Sequence, residues 1–293
     1  MSDLSVTVAS IHVYPVKSCA GIALPRVEFS PTGFDLDRAW MVTDAAGVFV
    51  SQRELPRMAL VQPTLKSEEM ILRAPGMLAL HVALDRVEAA CEVKVMSDRV
   101  VAFDMGELCA QWFSDFLGRP LRLVRFDPEV RRLASRQWTG EIEAETAFQD
   151  GFPLLVTSTA SLAEVNRRLA AAGEAAVTMA RFRPNLVLDG LEAHDEDHVD
   201  EIVFEGSGSD PGDGQGGGPV RLRLVKPCPR CPIPDVDPAT GERGHAVGDV
   251  LAQYRADARL GGALTFAMNA VVVEGFDSRL VVGQRGAARF AFA

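Results

Sequence analysis

The sequence predicts an α+β protein that is mostly β, and three observations lead there. Short runs rich in Val, Ile and aromatic residues, separated by turn-formers, dominate the first third. Further runs of this kind alternate in the second half with stretches of helical period. The regular βαβ alternation of a doubly wound sheet is missing, as is any repeat of fixed period.

Taken in order, strands are expected over residues 6–14, 39–43, 48–51, 77–84, 91–96 and 99–103, with Pro31-Thr32-Gly33 and Asp44-Ala45-Ala46-Gly47 as turns between them. Strands this short and this closely spaced suggest a barrel or strongly curved sheet. A helix fits 107–117, where Leu108, Trp112 and Phe116 share one face. A second fits 161–172, with Leu162, Val165 and Leu169 as its stripe and Ser161 with Glu164 as a capping box. Strands are then expected over 186–188, 201–204, 220–225, 270–274 and 280–282, and a helix over 247–255. The Gly-rich segment 206–219 is acidic, lacks a following Lys-Ser/Thr and runs into a strand. It reads as a long hairpin loop, not a phosphate cradle.

A length of 293 residues suits two domains, and a composition 47% hydrophobic and 24% charged is that of a globular chain, which excludes wholesale disorder. A net charge of −10 argues against an obligate grip on nucleic acid or anionic membrane, since such grips come from basic surface. Five cysteines are too few for a disulfide scaffold, and the odd count leaves one unpaired. No run is long and apolar enough to span a bilayer, and Met1-Ser2-Asp3-Leu4 lacks the basic start of a signal peptide. A cytoplasmic protein with no membrane partner is expected.

The densest chemical signal is the run from Lys226 through Cys228-Pro229-Arg230-Cys231 to Asp237 and Gly241. Zinc would need two more ligands, and the histidines at 12, 81, 194, 198 and 245 show no partner pattern. A redox dithiol normally opens a helix, which Pro227, Pro229, Pro232 and Pro234 oppose. A third reading is a single thiolate for a soft metal, favoured electrostatically by Lys226 and Arg230, with the other cysteine accessory. Buried free cysteines in a loop remain the plain alternative, and 237–241 reads first as a turn. Far away in sequence, Lys17-Ser18, Arg38, and Arg181 with Arg183 and Asn185 supply cations, a hydroxyl and an amide. Each alone fits a surface salt bridge. Together they suit an anionic, heteroatom-rich ligand.

In content and order, Tyr-Pro-Val-Lys-Ser-Cys at 14–19, Asp-Arg-x-Trp at 37–40, Asp-Gly-Phe-Pro at 150–153, Arg-Pro-Asn at 183–185 and Cys-x-Arg-Cys with Val-Asp-Pro-x-Thr-Gly at 228–241 resemble MOSC-domain proteins. The closer likeness is to the branch containing the mitochondrial amidoxime reducing component and its bacterial relatives. The resemblance implies an N-terminal β-barrel domain over 1–125 and a MOSC β-barrel domain with packed helices over 126–293. It also implies a molybdenum cofactor, a phosphate-bearing pterin dithiolene that chelates the metal, with no pyridoxal phosphate expected. Cys231 inherits the metal-ligand role. Lys17, Ser18, Arg38, Arg183 and Asn185 inherit cofactor contacts, with Asp150, Gly151 and Phe152 lining the pterin and Pro229 and Arg230 preceding the ligand. Arg230 is expected to steady charge near the metal, and Asp237 or Asp235 to relay protons.

The chain departs from the family pattern in two ways. Asn269 stands where other members place an aromatic near the cofactor, which puts the substrate class in doubt. The four-cysteine ferredoxin-like domain of some bacterial relatives has no counterpart in the sequence, so a separate electron-donor redox protein is expected. The implied activity is reduction of small N-hydroxylated compounds: amidoximes, hydroxylamines or N-hydroxylated bases. The alternative is a non-catalytic carrier of molybdenum cofactor or sulfur.

Overall fold

The computed structural model describes residues 4–206 and 218–291. Seven strands close into a barrel: β1 (Leu4–Val13), β2 (Leu154–Ser158), β3 (Leu186–Asp189), β4 (Val199–Phe204), β5 (Val220–Pro229), β6 (Ala263–Glu274) and β7 (Arg285–Phe290). Around the barrel the order is β2-β3-β1-β7-β4-β5-β6, and β6 pairs with β2 to close it. An odd ring cannot alternate direction throughout. The chain meets this with one parallel pairing, β2 with β3, among six antiparallel ones.

Inward positions of these strands make the main core, including Val6, Val8, Ile11, Leu186, Leu188, Ile202, Phe204, Leu222 and Ala270. They recur at alternate positions, as a sheet with one buried face requires. β2 differs: all five of its residues, Leu-Leu-Val-Thr-Ser, are buried. Three longer helices pack around this framework, α1 (Glu107–Leu117), α2 (Thr159–Ala171) and α3 (Ala246–Ala252), beside a single helical turn at Arg136–Thr139. A second core lies where Trp112, Phe113 and Phe116 of α1 meet Trp40, Met58, Met70 and Leu72. It is bounded by the four-stranded sheet that includes Trp40–Thr43 and Arg122–Phe126 and by the three-stranded sheet over 62–83. The mostly β architecture with packed helices is thus established.

Hydrogen bonding does not divide at residue 125. β1 is a stave of the barrel, and Arg26–Ser30 pairs with Arg279–Val281 near the other end of the chain. The end of β1 therefore anchors the residues that follow it, Tyr14 to Cys19, on the barrel rim.

Several elements differ from the sequence expectation for local reasons. Residues 48–51 make only single bridges, because the Asp44 carboxylate accepts from the Ala46 and Val48 amides and turns the chain. α2 begins at Thr159, and its cap is Ser158, whose hydroxyl accepts from Ser161 N at 3.0 Å. Glu164 is not a capping partner; it pairs with Arg167 and Arg168. α3 ends at Ala252, and Arg255 beyond it pairs with Asp197 at 2.7 Å. The greatest difference is β5, expected to end at 225, which continues to Pro229. Its prolines fall where the register with β6 slips, at bulges between Leu224 and Lys226 and between Pro227 and Pro229. A missing N–H costs nothing in the ladder there. Of the Gly-rich segment, residues 207–217 lie outside the described residues.

Candidate functional site

Where β5 ends, the chain delivers Pro229, Arg230 and Cys231 to a cleft between the barrel rim and the loops that follow β1 and precede β2 and β3. The same cleft is lined by Lys17, Ser18, Arg38, Asp150, Gly151, Phe152, Arg183, Asn185 and Asn269. Residues from six separate stretches of sequence therefore meet in one place. Asp237 does not join them. Its carboxylate accepts from Arg181 and from the Ala239 amide, and its carbonyl accepts from Gly241 N, closing a turn. Asp235 likewise accepts from the Gly248 amide. Asp237 and Asp235, the residues expected to relay protons, thus lie outside the lining of the cleft.

Cations dominate the wall, and they differ in what they bind. Lys17 is 6% exposed and donates to the Phe148 carbonyl at 2.7 Å and to the Asp150 carboxylate. Burial pushes its ammonium below the usual lysine range, opposed by Asp150. Arg38 donates to Asp37, to Asn185 Oδ1 at 3.0 Å and to the Arg183 carbonyl at 3.1 Å. Asp37 is itself buried and accepts from the Tyr14 amide at 2.8 Å. Arg183 has no carboxylate partner among the described residues; it donates to the Cys19 carbonyl at 2.6 Å. Burial pushes its guanidinium down to about 10. Both guanidiniums lie 4.3 Å from the centre of the Tyr14 ring, where cation–π attraction offsets part of their crowding.

Three cleft residues other than glycine hold positive φ: Ser18 at 67°, Arg38 at 51° and Arg183 at 58°. Such backbone costs about 1–3 kcal/mol at each position and persists where the surroundings impose it. Here Lys17 N donates to Trp40 O and Gln52 Nε2 to Ser18 O, Arg38 N donates to Tyr14 O, and the Arg38 guanidinium donates to Arg183 O, so each of the three turns is held. Arg230 donates to Cys228 Sγ at 3.3 Å and to the Phe182 carbonyl at 3.0 Å, while its buried Nε has no partner in the protein. The Cys228 thiol is pushed up by burial, with Arg230 acting against it. Among the described residues no three His, Cys, Asp or Glu side chains converge as a metal cluster, so zinc would find no further ligands beside Cys228 and Cys231.

Sequence reasoning passed over Phe49, Ser51, Arg53, Gln149 and Phe182, which line the cleft as well. Gln149 bridges Asp37 O and Thr32 O, so it sets the Asp150 loop against the turn carrying Arg38. Nothing in its local sequence marks it.

The Lys17–Asp150 pair gives a testable pH dependence. Lys17 first, then burial acting in the opposite sense, sets the Asp150 carboxyl at about 2 against an ordinary 3.8. A depressed carboxyl contributes stability that is present above about 3.8 and lost as pH falls through about 2. The Asp150 side chain is 64% exposed, so solvent screens the pair. The difference in urea midpoint between wild type and Asp150→Asn should therefore be modest at neutral pH and vanish toward pH 2. A difference that stays constant over that window would show that the pair does not couple to folding.

Residues 5–120 match the MOSC N-terminal beta barrel domain, and residues 143–278 match the MOSC domain. The chain is 33% identical over 244 residues to mitochondrial amidoxime reducing component 2 of Bos taurus, spanning 80% of this chain and 68% of that protein. It is 33% identical to the human mitochondrial amidoxime-reducing component 1, with 80% and 67% covered. It is also 30% identical over 266 residues to human molybdenum cofactor sulfurase, spanning 85% of this chain but 28% of that much longer protein.

Proposed function

The chain belongs to the MOSC-domain family, and on that premise we propose that it is a molybdenum-cofactor oxidoreductase that reduces N-hydroxylated compounds with electrons from a separate redox protein. The observation that carries this reading is one cleft holding an accessible-edge thiol, Cys231, together with cations that outnumber their carboxylates. Lys17, Arg38, Arg53, Arg183 and Arg230 line it, while Asp37 and Asp150 are the acids paired to them.

Three features fit a phosphorylated pterin with a metal. Arg183 is a buried charge without a counter-ion, which is costly unless a ligand supplies one. Arg230 Nε is a buried donor without an acceptor. At Gly151 a Cβ would meet no atom within 4 Å, so the protein leaves open space against backbone there. Cys231 would hold the metal, as a soft thiolate does, and Arg183 with Lys17 and Ser18 would hold the phosphate. Asn185, Asn269 and the Asp150–Phe152 backbone would meet the pterin edge. When bound, the group supplies two-electron redox chemistry, and the protein contributes orientation and electrostatics. Arg230, fixed by the Phe182 carbonyl, stands beside the thiol loop as a charge that can orient a polar substrate. Phe49 and Phe152 narrow the cleft against water.

The test is analysis of protein made in a host that synthesises the cofactor. About one molybdenum and one pterin per chain are expected, with benzamidoxime converted to benzamidine under reduced viologen. Protein containing neither metal nor pterin sinks the reading. A second reading, a cofactor or sulfur carrier, draws on the second thiol, Cys228, at the same cleft. It predicts tight cofactor binding with no turnover under good electron supply. No helix among the described residues is long and apolar enough to cross a membrane.

A further inference from the structure

The cleft cations are not equivalent, and one keeps both terminal nitrogens of its guanidinium free among the described residues. Lys17 and Arg38 are paired to carboxylates. Arg230 donates from its terminal nitrogens to Cys228 and Phe182, and Arg183 lies deep against Tyr14. Arg53 is different. It is half-buried, lines the cleft from the loop 44–55, and forms no ion pair, although it lies close enough to Asp150 to help hold that carboxyl down. Its Nε donates to the buried Ser51 hydroxyl at 3.2 Å, which leaves both terminal nitrogens without a partner among the described residues.

The side chain is also held in place. Its guanidinium sits 5.7 Å from the centre of the Phe49 ring, whose other cation is Lys17 at 5.3 Å. Its backbone carbonyl accepts from Arg243, far away in sequence. A guanidinium fixed at Nε and resting on an aromatic ring presents its free edge as a preset fork, the geometry that takes an oxyanion through two parallel hydrogen bonds.

We propose that Arg53 is a specificity-determining residue that binds the carboxylate of an anionic N-hydroxylated substrate, so that the preferred substrates carry a carboxylate beside the reducible group. This rests on the reductase reading above. The alternative source of the oxyanion is the cofactor's own phosphate.

The experiment compares 4-carboxybenzamidoxime with benzamidoxime on holoenzyme under reduced viologen, for wild type, Arg53→Gln and Arg53→Lys. A charge-assisted contact predicts that the ratio of kcat/KM for the carboxylated over the neutral substrate falls about 10–100-fold in R53Q. The loss should lie mainly in KM, with R53K recovering part of it. Molybdenum and pterin content should match wild type. Equal losses on both substrates, or cofactor loss in R53Q, overturn the proposal, the latter by assigning Arg53 to the phosphate. Calorimetric titration of 4-carboxybenzamidoxime into non-reduced holoenzyme separates this from the parent reading. Binding that needs both the carboxylate and Arg53, without turnover by wild type, keeps the anion site and rejects the reductase. Binding indifferent to Arg53 rejects the site.

Discussion

Replacing Cys231 by serine is expected to take benzamidoxime reduction down to background, a loss of more than about a hundredfold, while Cys228→Ser stays within about tenfold of wild type. Losing an outer-shell partner of a metal ligand costs roughly 10–100-fold, and losing the ligand itself must cost more. A serine oxygen is a hard, poorly ionised donor and does not replace a thiolate on a soft metal. The two cysteines are only three residues apart, yet the fold gives them different surroundings. Cys228 sits within β5, its thiol pushed up by burial and fixed by the Arg230 guanidinium at 3.3 Å. Cys231 lies past the strand's end on the cleft wall. Removing Cys228 disturbs only how Arg230 is held. Molybdenum content measured beside the rates distinguishes loss of the metal from loss of the reaction. Equal loss in both variants would point to a dithiol acting as a unit, and full activity in Cys231→Ser would remove the thiolate from the reaction.

The cleft was legible in the sequence wherever a function needs several special residues side by side. Tyr14 to Cys19, Arg38, Asp150 to Phe152, Arg183 to Asn185 and Pro229 to Cys231 stand in short runs whose composition is odd for plain structure, and all reach one cleft. Residues that join it through tertiary packing alone left no such mark. Arg53 follows Ser51-Gln52 in an ordinary polar loop, and the Ser51 hydroxyl, the Phe49 ring and the Arg243 contact hold it at the wall. Asp237 is the converse case. It is near Cys231 in sequence, but the helical turn Ile233–Asp235 carries it away to Arg181. In the fold, the bounds of α1 were legible residue for residue, but its buried face was not: Leu108 is 73% exposed, and Cys109, Trp112, Phe113 and Phe116 face the core instead. β2 was not legible, since all of its positions are buried and no alternation survives. Prolines misled at β5 because their effect depends on whether a bulge already excuses the missing donor.

Arg38 and Arg183 read alike in the sequence, as guanidiniums for phosphate, and the structure predicts opposite behaviour for their loss. Arg38→Met strands the Asp37 carboxylate, whose side chain is wholly inaccessible to solvent. Breaking a buried pair from one side costs about 3–5 kcal/mol. At roughly 2–4 °C per kcal/mol for a large domain, melting should fall on the order of 10 °C. Arg183 instead pays for its own burial. Its guanidinium drops from 12.5 to about 10, which at roughly 1.4 kcal/mol per tenfold is a destabilisation on the order of 3 kcal/mol. Against that stands the bond to the Cys19 carbonyl, worth about 1.5–3 kcal/mol as a charged donor. Cofactor-free Arg183→Met is therefore expected to be at least as stable as cofactor-free wild type, while molybdenum and pterin content in the loaded host falls about tenfold or more. The sign with pH follows from the same shift. The folded value lies below the unfolded one, so the cost is full at neutral pH and recedes as pH rises through about 10. Any stability advantage of cofactor-free Arg183→Met should accordingly shrink in that range. Equal melting losses for the two variants in cofactor-free protein would make Arg183 a structural residue and leave the phosphate to Lys17 and Ser18.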